Sequence, residues 1–171
     1  MKKLIVIAAV ILGFTTTTFA QNFTAAANAS ALMVAALNVT KVSGADMNFG
    51  TIYTPSAAST LVLTAAASAT LTPSSGLQIV STTGGTAAHF TVTSGAGSPH
   101  VSWTAGPLTL TSGSNSMTLN TLTCSNGAQG AAITLASGSA DVYIGGTLNI
   151  AANQATGTYT NTGGVVVTVA Y

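Results

Sequence analysis

A single all-β domain of antiparallel strands is predicted by three observations. Apolar and polar residues alternate with period two through most of the chain, Gly-rich turn signals interrupt that alternation, and the polar share is carried by Thr, Ser, Asn and Gly rather than by charged groups. Period-two alternation puts one set of side chains on each face of a strand, whereas the 3.6-residue period of an amphipathic helix is almost nowhere to be found. Thr and β-branched residues suit strands, and Gly, Asn and Ser suit the turns between them.

The first element is a leader. Met1, Lys2 and Lys3 are followed by the apolar run Leu4 to Phe14 and by Thr18-Phe19-Ala20, which places small residues where a signal peptidase cuts. Residues 1–20 are therefore expected to form a signal peptide, with residues 21–171 as the exported β domain, secreted or held at the cell surface. The apolar run falls well short of the roughly 18–20 residues that span a bilayer, so no integral membrane segment is expected after the leader is removed. From Asn22 to Thr40 every odd position is apolar: Phe23, Ala25, Ala27, Ala29, Ala31, Met33, Ala35, Leu37 and Val39. The even positions are also apolar through Leu32, Val34 and Ala36. One long strand or two consecutive ones are expected here, with the middle buried on both faces, although the Ala content also suits a short helix. Further strands are expected over 47–52, 60–71, 77–81, 89–93, 100–104, 108–111, 116–123, 132–136, 140–144, 147–151 and 158–171. Gly84-Gly85, Gly95-Ala96-Gly97, Ser112-Gly113, Asn126-Gly127, Ser137-Gly138, Gly145-Gly146 and Gly163-Gly164 are the turns between them. Strands so short and so closely spaced make a sandwich or a barrel.

Charge excludes several functions. Beyond the leader only Lys41, Asp46 and Asp141 remain, a formal charge of one minus two, or −1. Nucleic acid binding needs several Lys or Arg contacts to phosphates, and a basic membrane patch needs a similar cluster; neither exists here. Disordered chains are charged and poor in apolar residues, whereas this one is 47% hydrophobic. A neutral exterior fits an assembled state better than a soluble monomer. The lone Cys124 cannot form an internal disulfide, and a free cysteine is most often a small buried apolar residue.

Chemistry-bearing groups are few and scattered. Asp46 lies in a turn-like Ser-Gly-Ala-Asp segment far in sequence from Asp141, which does not suggest the paired carboxylates of a glycosidase. No G-x-S-x-G elbow occurs, and His89, His100 and Cys124 lack the short paired spacings of a zinc site. No catalytic residue, cofactor or metal site is expected. Tyr171 at the end of an exported chain raises an outer-membrane barrel, but the aromatic residues are too few for its girdles. The pairs Thr109/Thr111 and Thr121/Thr123 raise an ice- or carbohydrate-binding face, while Thr is also an ordinary strand residue.

Two blocks, NVTKVSGADMNFGTIYTPSA and YIGGTLNIAANQATGTYTNTGGVVVTVAY, resemble secreted bacterial proteins of domain-of-unknown-function family 4402. More distantly they resemble the spore coat protein U and archaic chaperone-usher pilin group. The matching residues are Asn48-Phe49-Gly50-Thr51, Gly145-Gly146-Thr147-Leu148, Gln154 with Gly157-Thr158-Tyr159, and the closing 167–171. The resemblance implies an immunoglobulin-like antiparallel β-sandwich, a surface or fimbrial role and no enzyme activity. Its implied partners are copies of itself or related surface subunits, with a periplasmic chaperone and an outer-membrane usher. The paired cysteines common in the coat protein U group are absent. In strand exchange, an extended segment of one subunit completes a neighbour's sheet. The candidate contact strands are Phe23, Ala25, Ala27, Ala29 and Ala31 near the start and Val165, Val167, Val169 and Tyr171 at the end; the first set equally suits the first strand of its own domain. A free-standing adhesin or ligand-binding domain is the alternative role.

Overall fold

The structure, a computed structural model, describes residues 23–95 and 97–171, so the leader predicted over 1–20 lies outside the described residues. The chain divides into two units, Met1–Leu32 and Met33–Tyr171. In the first, residues 23–32 form neither strand nor helix and all are exposed, Phe23 at 90% and Leu32 at 88%.

The second unit carries twelve strands and, among the described residues, no helix. They are β1 Asn38–Lys41, β2 Asn48–Ile52, β3 Ser59–Leu63, β4 Leu71–Pro73, β5 Ile79–Thr86 and β6 Ala88–Thr93. The rest are β7 His100–Trp103, β8 Leu108–Ser112, β9 Asn115–Cys124, β10 Ala131–Ala132, β11 Ser139–Ile150 and β12 Val167–Ala170. Every pairing is antiparallel.

The strand β11 organises the unit. One of its edges pairs with β6 along Ser139–Ile144 and then with β3 along Gly146–Ile150, while its other edge pairs with β9 along Ile144–Asn149. With β1 beside β6, β4 beside β3 and β8 beside β9, this makes a seven-stranded sheet. Two smaller sheets, β10-β7-β12 and β2-β5, complete the sandwich. Ala88, Phe90, Val92, Val142 and Ile144 of the large sheet pack with Val101 and Val167 of the three-stranded one. Leu61, Leu63, Leu119, Leu148 and Ile150 pack with Phe49 and Leu77 from the β2-β5 side. The buried positions of β6, 88, 90 and 92, keep the predicted period of two.

Several expectations are corrected. Among the described residues no strand runs over 23–37; strand pairing begins at Asn38, where β6 offers an edge, and the expected buried middle at Leu32, Val34 and Ala36 is exposed. Alternation makes a segment fit for a sheet, but it becomes a strand only where a neighbouring edge meets its backbone groups. The expected strand 60–71 is a hairpin of β3 and β4. Thr64 closes it, its N–H donating to Thr70 O at 3.1 Å and its hydroxyl accepting from Thr70 N at 2.8 Å. The two strands expected over 140–144 and 147–151 are one, because Gly145-Gly146 runs straight through as strand, and Gly84-Gly85 likewise lies inside β5. Of 158–171 only Val167–Ala170 is strand. Upstream, Thr160 makes a single bridge to Thr111, and Gly163 turns the chain with φ of 70°.

Candidate subunit-contact groove

Of the C-terminal candidates, Val167 and Val169 are built into their own sheet. β12 pairs with β7, Val167 opposite Trp103 and Val169 opposite Val101. Val167 is buried, and Val165 and Val169 pack against the same cluster. The Tyr171 hydroxyl hydrogen-bonds Ser94, and its ring lies so close over Gly97 that a Cβ there would sit 2.8 Å from the ring.

Phe23, Ala25, Ala27, Ala29 and Ala31 are exposed and belong to no strand. The Ala35 carbonyl accepts from Gly95 N at 3.1 Å. Between Phe23 and Val34 there is no charged residue.

In the second unit an open groove of about 1050 Å³ exposes part of the core. Its floor is the inner face of the large sheet, with Leu108 and Leu110 of β8, Met117 and Leu119 of β9, and Leu148 and Ile150 of β11. One wall is β2 continuing through Tyr53, Thr54 and Pro55; the other is the segment 154–165. β2 pairs with β5 alone, and no β5 residue lines the groove, so the second edge of β2 faces it. Lys41 and Asp46 also line the groove and pair with each other at 2.6 Å; exposed pairs of this kind contribute little to stability.

Both walls are held by short-range chemistry. Phe49 turns into the core, and Gly50 adopts φ of 70° at a β-bulge, where a Cβ would come within 2.5 Å of Ser81 O. The Gly50 N–H donates to Asn48 Oδ1 at 2.8 Å. On the opposite wall Gln154 Nε2 donates to the Tyr159 hydroxyl at 2.8 Å and to Ser116 O at 3.2 Å, and Tyr159 donates on to Ala155 O at 2.7 Å. Thr54 reaches across the sequence to donate to Gln154 O at 3.2 Å. Of the residues that carry the family resemblance, 48–51, Leu148, Gln154 and 157–159 line this one groove, while 145–147 and 167–171 do not. Sequence reasoning missed the groove itself. Its only sequence signal was that these blocks are polar and Gly-bearing yet each carries a large side chain.

The titratable groups have separate partners. His89 Nε2 lies 2.9 Å from Asp141 Oδ1, with Thr91 donating to the same oxygen at 3.3 Å, and the His89 ring stacks on Tyr143 at 4.4 Å. Cross-strand register makes this cluster, since His89 faces Tyr143 and Thr91 faces Asp141 between β6 and β11. The sequence offered no acid beside His89; 52 positions separate His89 from the Asp141 that orients it. His100 donates from Nδ1 to Gly130 O at 2.7 Å. Among the described residues no three His, Cys, Asp or Glu side chains gather as metal ligands, and no helix is long and apolar enough to cross a membrane.

Cys124 is half-buried, and burial pushes its thiol above the ordinary range, partly offset by hydrogen bonds from Asn126 and Ser125. Less thiolate is present at a given pH, so alkylation at pH 8 is expected to run roughly several-fold slower in the folded chain than in denaturant. Equal rates in the two states would show that the thiol is open to solvent.

The family described as a domain of unknown function, DUF4402, matches residues 37–171, from just before β1 to the last residue. No curated protein and no solved structure matches the chain.

Proposed function

We propose that this chain, which belongs to the DUF4402 family, is a non-enzymatic secreted structural protein, a cell-surface or fimbrial subunit that joins its neighbours by strand exchange. The observation that carries this reading is the segment Phe23–Leu32, which is apolar at every odd position with Thr24, Asn28 and Ser30 between, bears no charge and makes no strand. Such a segment retains unpaired backbone donors and acceptors, which another sheet edge can satisfy. The nearly uncharged exterior supports the same reading, because little repulsion opposes close packing of copies. A periplasmic chaperone and an outer-membrane usher are the partners such export would use. His89, Asp141, Asp46, His100 and Cys124 serve structural contacts, and alanine at any one of them is expected to leave the role intact.

Deleting residues 21–31 is expected to leave a folded monomer by circular dichroism and to abolish higher-order species in size-exclusion chromatography and electron microscopy. If the deletion unfolds the protein while the intact chain stays monomeric, the segment is a strand of its own domain and the reading is wrong.

A free-standing adhesin is favoured by one feature, a row of directly opposed Thr109, Thr118, Asn149 and Thr60 on the outer face of the large sheet. Under that reading the deletion would leave surface binding unchanged.

A further inference from the structure

We infer that the groove between β2 and the segment 154–165 is the acceptor site for Phe23–Ala31 of a second copy of this chain, an assignment that rests on the strand-exchange reading and gives it a location.

The groove has what an incoming strand requires. Its floor presents core-facing Leu108, Leu110 and Met117, half-buried where their neighbours Leu119, Leu148 and Ile150 are buried. One wall is the second edge of β2, which carries backbone donors and acceptors along its length. An added strand would pair with β2 and cover these floor residues in one step, extending the β2-β5 sheet from two strands to three.

The proposed occupant matches in size, charge and pattern. Nine extended residues reach about 30 Å, longer than the five residues of β2, so the segment can lie along the whole wall. Ala35 is held to Gly95, which leaves the residues before it to reach another copy. Among the described residues that line the groove the only charges, Lys41 and Asp46, neutralise each other, and the segment has none. Small Ala25, Ala27 and Ala29 facing large Leu and Met follow the rule that facing layers alternate large and small, with Phe23 filling the far end. A slip of one residue would turn Asn22, Thr24 and Asn28 onto the apolar floor, which fixes the register.

Site-directed cross-linking tests this, in a Cys124→Ser background so that no other thiol competes. One preparation carries Ala27→Cys and the other Leu110→Cys, and the two are mixed under mild oxidation. Disulfide-linked heterodimers are expected, about tenfold or more above a control in which Leu110→Cys is replaced by Thr109→Cys on the outer face, because a seated segment has a high effective concentration. A second variant, Leu110→Glu on the half-buried floor, is expected to stay folded by circular dichroism and to lose higher-order species. Equal cross-linking at 109 and 110 overturns the inference, as does a chain carrying both cysteines that closes only on itself. Persistent assembly of Leu110→Glu does the same. In the first and third cases assembly survives and the broader reading stands, whereas closure only on itself makes the segment a strand of its own domain and overturns the broader reading as well. If the intact chain forms no higher-order species at all, the inference and the reading beneath it fail together.

Discussion

Gly145→Ala is expected to cost about 3 kcal/mol or more, the top of the range for overpacked sites and a large share of the roughly 5–15 kcal/mol that holds a domain folded. Gly145 sits where one edge of β11 passes from β6 to β3. A Cβ there would lie 2.3 Å from Leu63 O, 2.7 Å from Ala65 N and 2.8 Å from Thr64 C. All three are backbone atoms of β3 and its turn, so no side chain can swing away, and β3 must part from β11 to make room. Gly146→Ala is the control. Its Cβ would meet the methyl groups Leu122 Cδ2 at 2.9 Å and Leu119 Cδ1 at 3.1 Å, which can shift, so a loss of about 1–2 kcal/mol is expected. Urea titration of the two variants measures both. A Gly145→Ala loss no larger than that of Gly146→Ala would contradict the close approach of β3 to β11.

Val167→Asp is expected to cost about 4 kcal/mol or more, because it removes a buried aliphatic side chain and puts a carboxylate in its place among apolar neighbours. Val167 is 7% exposed, packs among Phe90, Val101 and Val142 of the core, and lies opposite Trp103 in the sheet. Its neighbour Val166 points the other way and is 53% exposed, so Val166→Asp is expected to stay within about 0.5 kcal/mol of the parent. Thermal melts of the pair report the difference directly. Similar melting temperatures would mean that the last strand does not close the core.

Most strands were legible because a half-buried strand writes its burial into every second residue. Val142 and Ile144, and Leu148 and Ile150, alternate with Tyr143 and Asn149 as predicted. Two misreadings share one physical cause, that composition does not record what lies alongside. Gly145-Gly146 has the composition of a turn, yet its missing side chains admit a neighbouring backbone and the strand continues. Residues 22–37 have the pattern of a strand, yet among the described residues of this range only Ala35 is met by a backbone group of its own chain, the Gly95 N–H. The groove was illegible for the same reason, since the β8-β9 hairpin that carries Leu108 and Met117 meets Ile150 only through the pairing of β9 with the distant β11, and Phe49 comes to it from another sheet. His89 and Asp141 likewise meet only through the register of β6 on β11.

The most direct test of assembly by strand donation is hydrogen–deuterium exchange at the amides of residues 23–31 in the assembled protein. Strand donation predicts protection of about a hundredfold or more over an unstructured peptide at alternate amides along the segment, as ladder hydrogen bonds to a partner edge require. Exchange at peptide rates throughout 23–31, in material that remains assembled, would contradict it.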